Sequence, residues 1–318
     1  MAQKRFVVGI DVAKGKVDVA IRCLNERATF ERGAVGEQEL LAWLARHGAA
    51  RAVMEASGGY EKRWAQLLRK AGLEVVIVDP KRVRHFAKSA GRLAKNDVID
   101  AGVIAWFGET FDDLHSHSGD ADREELDQLV TARSALARLQ AEVDGWSEQE
   151  RPKPVQKAHQ AVLKALAAQI ARLEAAIARK IDKTADFSER AEIIESVPGL
   201  AKGSAAGVVA FLPELGRVDR QAAAALVGIA PFDNESGNWC GPRCIQGGRQ
   251  KLRNLLYMPV MGAATKHNPV LKAYYGRLIA KGKKAKVALI ACMRKLITIL
   301  NAMLARKEKW DAAKFVPA

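Results

Sequence analysis

Near the start of the chain, the run Arg5 to Ile10 reads as a short buried strand. Val17 to Arg22 alternates apolar and polar positions with a period of two, and Arg27 to Glu31 fits a third strand. Three consecutive strands predict an antiparallel meander. A helix from Gly36 to His47, a strand from Arg51 to Glu55, a helix from Tyr60 to Ala71 and a strand from Glu74 to Val78 follow. Beyond Pro80 the pattern is helical, interrupted around Gly91, with a further helix from Asp97 to Phe107. From Glu124 only the helical period remains: Leu129, Ala132, Leu136, Leu139, Val143 and Trp146 form a heptad seam. Pro152 and Pro154 break it, and Val162, Leu166, Ile170, Leu173, Ile177 and Ile181 line one face of a second long helix. A polar loop from Pro231 to Gly248 then precedes a helical tail from Arg249 to Arg306, broken near Pro269 and Gly282.

The expected fold is α/β plus all-α. The order βββαβαβα is that of a ribonuclease H-like (RuvC-like) domain, although alternating βα units also suit a nucleotide-binding sheet. Expected boundaries are 1–120 for this domain, 121–188 for a helical coiled-coil arm, and 189–318 for a mainly helical C-terminal domain. The arm reads equally as a hairpin packed on its own domain or as a dimerising element. Val197-Pro-Gly-Leu-Ala-Lys-Gly-Ser resembles the turn of a helix-hairpin-helix, which offers backbone N–H groups to a phosphate, and also an ordinary Pro-Gly turn between helices.

Charge changes this picture in the C-terminal part. Residues 190–318 hold 21 Lys/Arg against 8 Asp/Glu, whereas residues 1–189 hold 30 against 28. Positions 236–307 contain 15 Lys/Arg and no acid. A solvated face normally mixes signs, so a polyanion is the expected partner. The run lacks a helix with a clean basic face, which favours nucleic acid over an anionic membrane. Arg243, Arg249, Lys251 and Arg253 are candidate contacts, as are Lys281, Lys283, Lys284 and Lys286. No membrane span or secretory segment is expected, and the location implied is cytoplasmic, at the nucleoid. The four cysteines are too scattered for a disulfide framework. The Cys240/Cys244 pair lacks nearby partners for zinc.

Four acids are the candidate chemistry. Asp11 closes the first strand and Glu55 the fourth, and these strands are neighbours in a ribonuclease H-like sheet. Asp97 and Asp100, three apart on a helix, share a face. Converging carboxylates repel unless protonated or bridged by a cation. Oxygen donors with no histidine or cysteine select Mg2+ or Mn2+, and two such ions about 4 Å apart could serve a phosphodiester exchange. Each acid also has a plainer reading: Asp97 as a helix N-cap, Asp100 as a first-turn partner of the helix dipole, Glu55 as a cap for the next helix. Asp11 has the fewest.

Gly9-Ile10-Asp11-Val12-Ala13-Lys14, Met54-Glu55-Ala56-Ser57-Gly58-Gly59-Tyr60 and Lys95-Asn96-Asp97-Val98-Ile99-Asp100-Ala101 resemble the three acidic blocks of the DEDD insertion-sequence transposases, the IS one-ten family. Val197-Pro-Gly-Leu, Gly228-Ile-Ala-Pro, Ser236-Gly237 and Gly247-Gly248-Arg249 resemble that family's second region. The resemblance covers nearly the whole chain and implies a metal-dependent DNA recombinase. Its nucleophile would be Ser236, forming a phosphoserine, with Arg243, Arg249 and Arg253 as candidates to hold the phosphate. It further implies donor and target DNA, a structured bridge RNA and a homo-oligomer, dimer or tetramer.

Three other readings compete. A sugar kinase or similar ATPase would use Ser57-Gly58-Gly59 as a phosphate loop. A Holliday-junction or structure-specific nuclease would hydrolyse DNA at the same metal site. A non-enzymatic nucleic-acid-binding protein would use neither.

Overall fold

The computed structural model describes residues 6–92, 97–111, 114, 120–147, 151–236, 239–241 and 243–314; the side chains of 97–99, 147, 235, 236 and 239 are outside that description. The chain divides into two compact units, Met1–Gly119 and Asp120–Ala318.

The first unit is built on strands β1 (Phe6–Val12), β2 (Lys16–Ile21) and β3 (Glu26–Glu31), helix α1 (Ala34–His47), strand β4 (Ala49–Glu55), helix α2 (Glu61–Lys70), strand β5 (Glu74–Val78), and helices α3 (Pro80–Ser89) and α4 (Asp97–Thr110). The five strands form one sheet in the order β3-β2-β1-β4-β5. β2 runs antiparallel to β1 and β3, and β4 runs parallel to β1 and β5. Alternation along β1 sends Val8, Ile10 and Val12 into a core with Leu40, Trp43, Trp64 and Leu68. The opposite face carries Val53, Val76 and Val78 against Val83, Val103, Ile104 and Phe107.

Glycines set how closely α4 lies on that second face. A Cβ at Gly9 would stand 2.2 Å from both Ala101 O and Ala105 N, and one at Gly108 would stand 2.6 Å from Val53 Cγ2 and 2.9 Å from Val7 Cγ1. Residue 108 therefore covers the start of β1 and residues 101–105 its middle, so α4 runs antiparallel to the strand. At the sheet's edge Arg22 holds the helix, donating to Glu109 at 3.0 Å with its guanidinium 5.0 Å from the Trp106 ring centroid.

The second unit opens with helices α5 (Ala121–Ser147) and α6 (Lys153–Lys183). They form an antiparallel hairpin, tied by Lys180 to Asp122, Arg133 to Glu174 at 2.7 Å, and Trp146 to His159 with ring centroids 6.0 Å apart. The expected seam divides. Leu129, Leu136 and Val143 are partly or fully buried, whereas the alternate positions Ala132, Leu139 and Trp146 are exposed. On α6, Leu166, Ile170, Ile177 and Ile181 are buried and Val162 is exposed.

Helices α7 (Ala185–Glu195), α8 (Lys202–Phe211) and α9 (Arg220–Val227) follow. The expected polar loop forms two nested ribbons. β6 (Pro231–Phe232) pairs with β9 (Cys244–Ile245), and inside them β7 (Glu235–Ser236) pairs with β8 (Trp239–Cys240). α10 (Gln250–Gly262) continues as a π-helical turn, Ala263–His267, before α11 (Pro269–Ala280) and α12 (Ala285–Arg306). The Pro198-Gly199 turn packs within the fold. Gly199 has φ 94°, and a Cβ there would lie 2.6 Å from Ala263 Cβ, so its close approach is to the π-helical turn.

By length and composition α12 could cross a membrane, with a mean hydropathy of 1.8 over an 18-residue window, a test that the core helix of a globular protein also passes. Here 56% of that window is buried, with Cys292, Met293, Leu296 and Leu300 in the centre of the core.

The Gly9 contact can be tested by urea denaturation. Gly9→Val is expected to lose about 3 kcal/mol or more by overpacking against helix backbone. Gly15→Val, where nothing lies within 4 Å of the added Cβ, should cost far less.

Candidate active site and nucleic-acid interface

Ile10 pairs with Met54 in the parallel register, so the next residues, Glu55 at the end of β4 and Asp11, one residue inside the end of β1 and not its last as expected, lie side by side. Alternation puts Asp11 on the face of Gly9, and Glu55 on that of Val53, which is the face α4 covers. Because α4 is antiparallel to β1, its first turn, carrying Asp97 and Asp100, reaches this same end of the sheet. Asp11, Glu55 and Asp100 are each half-buried. The side chain of Asp97 lies outside the described residues.

The donor chemistry of these acids suits a hard divalent ion. Among the described residues, however, no three His, Cys, Asp or Glu side chains stand close enough to form a ligand set. The backbone thus brings three carboxylate-bearing positions to one strand end, without a closed cage.

Asp18 belongs to this neighbourhood and escaped sequence reading. It lies directly opposite Asp11 in the antiparallel register and hence on the same face. Like charges placed so repel. Asp18 is 7% exposed; it accepts a hydrogen bond from Thr29 Oγ1 at 2.5 Å and meets Lys16 Nζ at 2.9 Å. The alternation of Lys16, Asp18 and Ala20 on one face could have revealed it once the register was known.

The loop after β4 is occupied from within. Ser57 N and Gly59 N donate to Glu61 Oε2 at 2.9 and 2.8 Å, and Glu61 is only 6% exposed. Gly58 and Gly59 have φ of 69° and 106°, the left-handed backbone this turn requires. Two amides that a phosphate loop would offer to a nucleotide already hold a carboxylate, which removes the main support for the kinase-like reading.

Ser236 pairs with Trp239 in the inner ribbon; its side chain is outside the described residues. At the ribbon, Arg243 meets Asp233 at 2.5 Å, both 62% exposed, a pair of small energetic weight. Arg249 and Arg253 have structural roles. Arg249 engages both Glu214 oxygens, at 2.6 and 2.5 Å, and donates to Phe211 O at 2.9 Å. Arg253 Nη1 donates to Gly228 O and Gly247 O, each at 3.0 Å. The two bind a backbone crossing at which a Cβ on Gly228 would lie 2.1 Å from Gly247 O, and one on Gly248 2.2 Å from Gly228 N. That crossing accounts for both glycine motifs.

Lys251 is exposed, with Asp127 at 3.8 Å. Lys281, Lys283, Lys284 and Lys286 are exposed around the turn from α11 into α12. Cys240 and Cys244 are both exposed.

Two family models match the chain: a DEDD IS110-type model described as "Transposase" over residues 8–143, and "Transposase IS116/IS110/IS902 family" over residues 191–276. The pilin gene-inverting protein of Moraxella bovis is 26% identical over 96% of this chain and 97% of its own length, as is that of Moraxella lacunata. An insertion element IS116 protein of Streptomyces clavuligerus is 33% identical over 42% of this chain and 34% of its own length.

Glu61→Ala strands two loop amides without their acceptor and is expected to cost about 2 kcal/mol. Hydrogen exchange at Ser57 and Gly59 should accelerate with it, while Glu39→Ala, an exposed change on α1, should leave both protected.

Proposed function

The chain belongs to the IS110 family of transposases and is a DNA-recombination enzyme; we propose that it cuts and rejoins DNA through a phosphoserine at Ser236, assisted by Mg2+ or Mn2+ held by Asp11, Glu55, Asp97 and Asp100. The observation that carries the metal half of this reading is the strand end itself. Parallel register and the crossing of α4 bring Asp11, Glu55 and the first turn of α4 to one edge of a mixed sheet, in the order expected of a ribonuclease H-like domain. When bound, the ion would supply positive charge at the reacting phosphate.

The protein's own residues do the rest. Ser236 Oγ attacks phosphorus and loses its proton; a phosphorus–oxygen bond to the sugar breaks, and that oxygen gains a proton. One ester replaces another, so the bond energy is kept for a strand hydroxyl to reverse the step and join a new partner. The full-length likeness to proteins named for inverting a gene supports exchange over plain hydrolysis.

Guidance by a structured RNA accords with the acid-free basic run, since a protein that delegates sequence reading to base pairing needs mainly backbone contacts. Exchange of several strands needs several active sites. The exposed row Ala132, Leu139 and Trp146 gives the hairpin an apolar face suited to a homo-oligomer.

Trapping tests the chemistry. With a nicked donor substrate and Mg2+, the protein should form a denaturant-stable DNA adduct that is lost in Ser236→Ala and reduced at least about a hundredfold in Asp11→Asn. Nicked product without adduct would establish hydrolysis instead, and full strand transfer by Asp11→Asn would sink the metal assignment.

A further inference from the structure

A cavity of about 660 Å³ opens in the second unit among α9, the ribbon, α11 and α12. Its longest wall is one stripe of α12. Lys286, Ile290, Arg294 and Thr298 follow at four-residue spacing, with Val287, Ala291 and Lys295 beside them. The opposite face of α12 is the buried core, so this stripe is what the fold leaves for a ligand. Arg220 and Arg243 add positive charge from α9 and the ribbon, and no acid is among the lining residues. Of the flanking acids, Asp219 caps α9, accepting from Gln221 N and Ala222 N at 2.7 and 2.8 Å, and Asp233 offsets the charge of the lining Arg243.

Lys295, in the wall, has a second cation, Arg277, beside it. Lys295 Nζ lies 4.9 Å and the Arg277 guanidinium 5.4 Å from the centroid of the Tyr274 ring. Burial, with Arg277 beside it, holds the Lys295 ammonium below the usual lysine range. A half-buried ammonium next to a guanidinium gains most from an incoming anion. Between these cations the surface is aliphatic, formed by Val287, Ile290 and Ala291 with the buried Ile229 beneath. A duplex backbone needs charge but no apolar recess. The occupant that matches both is an anion joined to a flat apolar group.

We propose that this cavity receives one unstacked nucleotide of a single-stranded nucleic-acid segment, its phosphate held by Arg294 and Lys295 and its base laid against Val287, Ile290 and Ala291. The inference rests on the recombinase reading only for the class of polymer. Strand exchange exposes unpaired nucleotides, and a site that engages one favours the opened state over the duplex.

The test is fluorescence anisotropy with the full-length protein carrying Ser236→Ala, without divalent ions, so that binding is read apart from catalysis. The probes are a short mixed-sequence DNA strand, the same sequence in RNA, and the blunt DNA duplex. Two variants are compared: R294Q/K295M removes charge, and V287W fills the mouth at a 54% exposed position while every cation stays. Each should weaken single-strand binding by about tenfold and leave duplex binding within about twofold. The strand, DNA or RNA, that V287W weakens identifies the source of the nucleotide.

Equal loss on strand and duplex, or unchanged single-strand affinity in V287W, would overturn the proposal. If R294Q/K295M fails to fold, as judged by its urea midpoint, V287W alone decides. Selective loss here alongside an absent adduct counts against the catalytic reading only. A normal adduct with no selective loss counts against the cavity only.

Discussion

The candidate site depends on a contact that contains no catalytic atom. α4 lies so close to β1 that the strand must have glycine at position 9, and the absence of a single methyl group there fixes where the first turn of α4 ends up. Its largely apolar surface could satisfy burial at several heights above the sheet. The Gly9 and Gly108 contacts select one height and one direction, and both put Asp97 and Asp100 over the strand end that carries Asp11 and Glu55. Steric exclusion brings these backbone positions to one end of the sheet, and like charge resists a closer approach. Asp18 shows how the fold handles the resistance in its own interior, by giving a buried acid a hydroxyl and an ammonium. Asp11, Glu55 and Asp100, only half-buried, keep contact with solvent, which screens their charges.

Much of this was legible in the sequence. The strands and α-helices among the described residues of the first unit followed from periodicity to within a few residues, because buried strands and apolar helix faces leave the signature that periodicity detects. Asp11 and Glu55 were legible because an acid closing an apolar strand is conspicuous. Asp18 was hidden, since a charged residue within an alternating strand reads as solvent-facing until α4 is known to cover that face. Glu61 was hidden for a related reason. Its partners are backbone amides of a glycine turn, and amides have no signature in the sequence.

The basic run was visible as charge and opaque as function. Fifteen cations without an acid announce a polyanion, but they do not show which cations are used inside the fold. Arg249 and Arg253 hold a glycine crossing together, Arg243 has a surface partner, and the lysines between α11 and α12 are exposed. Sorting them needed the positions of carbonyl groups, which belong to the backbone path and not to the residues. The polar loop was opaque in the same way, because ribbons of two-residue strands are too short for any period to register.

The two cations on α12 have a consequence for the protein before it is folded. An unfolded chain presents Ala285–Arg306 as a segment whose hydropathy would satisfy a bilayer. Arg294 and Lys295 sit at its midpoint, where each costs about 2.5–3.5 kcal/mol for insertion. A helix with leucine there would suit the same core and would also be a substrate for the membrane-insertion machinery. The charges that line a cavity in the native state thus also raise the cost of placing this helix in a bilayer.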